Sequence, residues 1–188
     1  MSNSKTIRFL RNPVNRALRK AIITMEKYGY TLRKYQTEGV KWMIKQELKQ
    51  EYPGGILADD PGLGKTIQTA ALMIGIPKKT LIIVPTAVLT QWNDIMEKIF
   101  GGDAIYFHYG AEKKKTSQEI IELDFNICIT SHGSAVSRKK KCFETILHIP
   151  DFWDRVIIDE GHVIRNKKTK MYRTVINYTP IANAKWIL

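Results

Sequence analysis

From Gly54 onward, short unbroken apolar runs alternate with longer amphipathic stretches. The runs at 55–58, 80–85, 104–109, 125–130 and 156–158 lack the in-out alternation of a half-solvated strand, and so predict strands covered on both faces. Residues 67–74, 88–100 and 117–123 read as helices between them. In the second of these, Leu89, Trp92, Ile95, Met96 and Ile99 fall on one side. A last run, 184–188, reads as a sixth strand. Repeated strand-helix units of this kind predict an α/β fold, a three-layer sandwich around a mainly parallel sheet.

Ahead of these units stands a helix signal. Asn12 followed by Pro13 reads as an N-cap with proline at the first helical position, and Gly29 as the stop. Val14, Leu18 and Ile22 recur every fourth residue, with Ala17, Ala21 and Met25 beside them, and the arginines fall mostly off that stripe. The segment 1–30 is therefore expected to be a basic arm or helix preceding a domain at 31–188. Its seven cations (Lys5, Arg8, Arg11, Arg16, Arg19, Lys20, Lys27) face one acid, Glu26, and supply half of the chain's net charge of +12. A balance this basic points to a polyanionic partner, either nucleic acid or an anionic membrane surface. No apolar run is long enough to cross a bilayer, and the first ten residues hold no signal-peptide core. The two cysteines, Cys128 and Cys142, have no metal-ligand spacing. They are expected to be reduced packing residues of an intracellular protein, cytoplasmic or nuclear, or in the host-cell cytoplasm or nucleus if viral. The runs 113–115 and 138–141 are short basic stretches, read as solvated loop or helix ends.

Between the first strand and the first long helix lies Asp59-Asp60-Pro61-Gly62-Leu63-Gly64-Lys65-Thr66. Glycines in such a turn let successive backbone N–H groups converge on phosphate oxygens at a positive helix end. Gly62, Leu63 and Gly64 would cradle the phosphates of a nucleoside triphosphate, Lys65 would reach the β and γ groups, and the Thr66 hydroxyl would ligate Mg²⁺. The strict pattern asks for glycine where Asp59 stands. The apolar run 156–158 then delivers Asp159-Glu160-Gly161-His162. Loops of a parallel sheet open at the carboxyl edge of their strands, so Asp159 is expected to hold the same Mg²⁺ and Glu160 to orient or deprotonate the attacking water.

Together these residues resemble the Swi/Snf-type ATPases of helicase superfamily two, over nearly the whole chain from Tyr30. The resemblance implies a P-loop NTPase fold, specifically the first RecA-like lobe of a motor that moves on double-stranded DNA. The stretch 32–43, Leu-Arg-Lys-Tyr-Gln-Thr-Glu-Gly-Val-Lys-Trp-Met, is similar to the family's adenine-recognition segment and implies that role for Gln36. Residues 60–68 are similar to its phosphate loop, where an acid in place of the first glycine is usual, although the family's Asp-Glu-Met is Asp59-Asp60-Pro61 here. Residues 81–92 and 129–132 resemble segments that touch the DNA backbone, which implies phosphate contacts from Thr86, Gln91, Thr130 and Ser131 without sequence preference. The quartet 159–162, continued by Arg165-Asn166, is close to the Mg²⁺ segment and implies that His162 couples nucleotide state to DNA. Trp92 reads as core. The resemblance places the charge-stabilising arginine in a second helicase lobe not present in this chain, so the chain alone is expected to bind nucleotide and hydrolyse it feebly or not at all. Two other readings stay open: a non-catalytic nucleic-acid-binding module that keeps the fold, and lobe one of another superfamily-two motor, of restriction or viral transcription-associated type.

Overall fold

The computed structural model describes residues 12–49, 51–112, 115–136, 146, 149, 151–173 and 182–188. The expectations for Lys5, Arg8, Arg11, Lys113, Lys114, Cys142 and the run 138–141 lie outside these residues. The chain falls into two compact units, Met1–Pro77 and Lys78–Leu188.

The first unit holds α1 (Pro13–Lys27), α2 (Lys34–Glu47), β1 (Gly54–Ile56) and α3 (Lys65–Gly75). The Asn12 side chain accepts from Val14 N at 2.9 Å and Asn15 N at 3.4 Å, with Pro13 at the first position, which is the expected cap. Past the other end, Gly29 takes φ +83. The described part of the basic segment is thus a helix that packs on both α2 and α3. Arg16, Arg19, Lys20 and Lys27 are exposed, whereas Ala21 and Met25 are fully buried. Val14, Leu18 and Ile22 are only partly buried, so the deepest line lies beside the stripe the periodicity suggests. Small residues set this contact: a Cβ built on Gly75 would stand 3.1 Å from the Ala17 carbonyl oxygen.

In the second unit, β2 (Thr80–Val84), β3 (Ile105–His108), β4 (Ile127–Ser131), β5 (Arg155–Ile158) and β6 (Ala184–Ile187) pair in the order β6-β5-β2-β4-β3, all parallel. Ile82, at the centre, sits in register with Ile129 on one side and Ile157 on the other. Every residue of β2, β4 and β5 is buried, which explains the unbroken apolar runs. Among the described residues, α4 (Leu89–Phe100), packed on β3 and β4, α5 (Ser117–Ile121) and α6 (His132–Ala135) lie between strands. Leu81, Ile83, Cys128, Val156 and Ile158 form a core with Ile120 of α5, Ala135 of α6 and Trp153. Because the strands are parallel, β2, β4 and β5 end at one edge, which carries Thr86, Ser131 and Asp159 onto the same rim.

Candidate nucleotide site

The phosphate loop of the first unit is built from backbone the sequence could only allow glycine to adopt easily. Gly62 and Gly64 take φ +85 and +82, and Gly64 is the N-cap of α3 in the left-handed region. At Gly64 space matters as well as torsion, since a Cβ there would come within 2.4 Å of Gln36 Nε2. Lys65 opens the helix, its Nζ donating to the Asp59 carbonyl at 3.0 Å, and Thr66 follows, half-buried in the first turn. Gln36 Oε1 accepts from Arg33 N at 2.9 Å, closing the N-terminal box of α2, while its Nε2 donates to the Leu63 carbonyl at 3.0 Å. Tyr35 Oη donates to the same carbonyl at 3.2 Å. The residue expected to read adenine is thus also a brace of the phosphate loop, with one N–H and one lone pair left over.

Asp59 occupies the position where the strict pattern asks for glycine, and the structure gives it work. Its carboxylate accepts from Gln68 Nε2 at 2.7 Å while its carbonyl takes the Lys65 ammonium. Gln68 is fully buried; it closes the segment 60–68 matched to the phosphate loop, although no role was assigned to it there. Gly39 in α2 makes room for it, since a Cβ there would lie 2.1 Å from Gln68 Oε1.

In the second unit Asp159 follows the last residue of β5. Its backbone N–H donates to the Ile83 carbonyl at 2.9 Å, and its own carbonyl lies 2.9 Å from His132 Nε2. A carbonyl only accepts, so that ring nitrogen bears the proton. The carboxylate is held at both oxygens: Oδ1 by the Glu160 N–H at 2.9 Å, and Oδ2 by the Trp92 indole N–H at 3.1 Å. At 8% exposure these carboxylate oxygens need such hydrogen-bond partners in place of water. Burial holds His132 below the ordinary imidazole value, opposed by its bond to the Asp159 carbonyl.

Glu160 is half-buried in the left-handed region, φ 55 and ψ 55, which costs a non-glycine residue about 1 kcal/mol or more and marks a turn whose geometry is enforced from outside. The enforcement is visible. Gly161 N donates to the Leu188 carbonyl at 3.0 Å, and a Cβ on Gly161 would meet Ile187 Cγ2 at 2.0 Å. His162 is exposed, its Nδ1 lying 3.0 Å from Glu160 Oε2.

The expected DNA contacts divide. Thr86 and Gln91 are exposed, at the rim turn and on the first turn of α4. Thr130 is fully buried and donates to the His108 carbonyl at 2.9 Å, so it is a core residue rather than a surface contact. Ser131, also buried, caps α6 by accepting from Ser134 N at 3.1 Å. Trp92 is core, as expected, and its indole also donates to Asp159.

The SNF2-related domain matches this sequence over residues 35–188. The chain belongs to that family. An uncharacterised ATP-dependent helicase of Schizosaccharomyces pombe is 34% identical over 81% of this chain and 18% of its own length. Helicase SWR1 of Eremothecium gossypii is 35% identical over 79% of this chain and 10% of its own length. A probable ATP-dependent DNA helicase of Arabidopsis thaliana, CHR12, is 36% identical over 79% of this chain and 14% of its own length. Among solved structures, the SWI2/SNF2 ATPase core of Sulfolobus solfataricus in complex with double-stranded DNA superposes with a TM-score of 0.69. It is 26% identical over 85% of this chain and 32% of the other. The SNF2-related chain thus spans less than a fifth of each of these curated relatives, and its fold is that of a RecA-like P-loop lobe.

Proposed function

We propose that this chain is the ATP-binding lobe of a DNA-dependent ATPase that, joined to a second lobe, couples hydrolysis to movement along duplex DNA. The observation that bears most weight is the turn in which Gly64, left-handed at the N-cap of α3, delivers Lys65 and Thr66 to a helix start. Backbone N–H groups there suit phosphate oxygens, and Lys65 would exchange the Asp59 carbonyl for the β and γ phosphates. Gln36 would turn its spare amide positions to the adenine edge.

The donor set fits Mg²⁺. As the resemblance implies, Mg²⁺ would rest on phosphate oxygens and water, with the Thr66 hydroxyl and the Asp159 carboxylate as its expected protein donors, which suits an ion that keeps several waters. Both donors to that carboxylate are neutral, so its negative charge stays available to a cation. Mg²⁺ held there would supply positive charge against the negative charge that develops on the transferring phosphoryl group. Glu160 would orient the attacking water and take its proton, and His162, beside it, would report nucleotide state to the DNA side. The charge-stabilising arginine of the second lobe is worth about 10³ to 10⁵ in rate in related phosphoryl-transfer machines, so we expect feeble turnover from this chain alone.

The DNA reading is supported by the SNF2 neighbour with double-stranded DNA, by the net charge of +12 and by the exposed Thr86 and Gln91. Such contacts grip phosphates and do not read bases. Work on DNA would place the protein in a nuclear or cytoplasmic compartment. Among the described residues no helix is long and apolar enough to cross a membrane. The test is fluorescence anisotropy with two unrelated duplexes over a salt series. Equal affinities that fall steeply with salt are expected. Affinity that survives high salt, or strong preference for one sequence, would contradict the proposal.

A further inference from the structure

We infer that Trp92 is a positioning residue for the metal-binding carboxylate of Asp159, an inference that rests on the nucleotide reading above. The two residues are 67 apart in sequence, yet the indole Nε1 donates to Asp159 Oδ2 at 3.1 Å in a buried contact. With Glu160 N on Oδ1, Ile83 O on the backbone N–H and His132 Nε2 on the backbone carbonyl, Asp159 is anchored at all four of its polar groups. Each carboxylate oxygen has two lone pairs. One on each is used, so the anchoring fixes the carboxylate plane and leaves one lone pair per oxygen for a cation or its water shell.

The chemistry of the donor matters as much as its place. An indole N–H donates and never accepts, is neutral, and is carried on a ring with only two side-chain torsions. Trp92 is 2% exposed in the first turn of α4, so the ring itself is fixed by packing. A lysine or arginine at the same point would hold the carboxylate equally well, but its positive charge would oppose an incoming Mg²⁺. A neutral, rigid donor organises the anion without discharging it. Hydrogen-bonding partners of this kind, one step removed from the metal, typically change metal affinity by about 10- to 100-fold when removed.

Trp153 provides a matched comparison. It is also buried, and its indole donates to the Ile146 carbonyl at 2.7 Å, away from Asp159 in the hydrogen-bond network. Trp92→Phe and Trp153→Phe each remove a buried indole bond and keep an aromatic ring. The experiment measures ATP affinity for the full chain with Mg²⁺ and with EDTA, for wild type and both variants. The readout is the factor by which Mg²⁺ tightens ATP. For Trp92→Phe that factor is expected to fall about 10-fold or more with metal-free ATP affinity unchanged, and for Trp153→Phe to stay at the wild-type value. An unchanged factor in Trp92→Phe, or equal losses in both variants, would overturn the inference. The indole N–H resonance of Trp92 in the wild-type chain gives a reading that does not depend on a variant folding. Adding Mg²⁺ to the ATP-bound chain should move it and leave that of Trp153 in place, and a stationary Trp92 resonance would overturn the inference. Failure of the underlying site looks different: wild-type chain would show no ATP binding that Lys65→Ala removes.

Discussion

The side-chain amide of Gln68 donates to the Asp59 carboxylate across 2.7 Å, tying the first turn of α3 back to the start of the phosphate loop. Gly39 makes room for it, because a Cβ there would overlap Gln68 Oε1 at 2.1 Å and the buried glutamine has nowhere to swing. Gly39→Ala is therefore expected to cost about 1–3 kcal/mol by overpacking. Gln68→Ala should cost about 1–3 kcal/mol by stripping a donor from Asp59. The double variant should cost less than the sum, since removing the glutamine also removes the clash. Denaturant unfolding of the four proteins checks this; strict additivity would show that the two positions do not meet.

Gly161 carries the same logic at the Mg²⁺ turn. Its missing Cβ lets Ile187 pack against the turn, where an added methyl would sit 2.0 Å from Ile187 Cγ2. Gly161→Ala should lower stability by about 1–3 kcal/mol, and Ile187→Ala in the same chain should restore part of the loss. Thermal melts of the single and double variants measure it.

Glu160 sits at φ 55, a conformation asparagine or glycine adopts at lower cost. Its exposed partnership with His162 contributes little. Glu160→Gly is expected to raise stability by up to about 1 kcal/mol while abolishing any ATP turnover, measured by thermal melting and phosphate release. A variant both less stable and equally active would show that the strain serves no function.

Much of this was legible in the residues. Unbroken apolar runs mark β2, β4 and β5 because burial on both faces removes the need for alternation, and Gly62-Leu63-Gly64-Lys65-Thr66 spells its own backbone torsions. What stayed hidden are bonds that span the chain. The Trp92 side chain looks like an ordinary member of an apolar helix stripe, and only the strand order brings it to Asp159. Thr130 shows the opposite failure. The resemblance of 129–132 to a DNA-contact segment implies an exposed hydroxyl there, but β4 continues to Ser131 and buries it. In α1 the periodic stripe was right in kind and displaced in place, because the Ala17 and Gly75 approach, not the largest side chains, sets how the helices meet.

Burial, the largest influence on it, holds the His132 imidazole below its ordinary value of 6.5. As pH falls, the unfolded chain takes up this proton first. The contribution of the neutral ring to stability is therefore complete above the unfolded value and is lost as pH drops toward the lower folded one. In EDTA, wild type should lose stability between neutral and mildly acidic pH more steeply than His132→Gln. Parallel pH profiles for the two proteins would contradict the assignment of a neutral, Nε2-protonated ring.

The most direct test of the proposed function, which gives Lys65 to the phosphates of ATP and Asp159 to Mg²⁺, is a set of thermal melts on wild type, Lys65→Ala, Asp159→Asn and the double variant. Each is run with ATP in Mg²⁺ and in EDTA. Ligand at about 100 times its dissociation constant stabilises by about 2.7 kcal/mol, a readily measured shift. The expected result is that wild type gains most in Mg²⁺, that Asp159→Asn loses the Mg²⁺-dependent part alone, and that Lys65→Ala loses nearly all stabilisation, so that adding Asp159→Asn to it changes little. Mg²⁺-dependent stabilisation by ATP that persists undiminished in folded Asp159→Asn, or losses that simply add in the double variant, would contradict it.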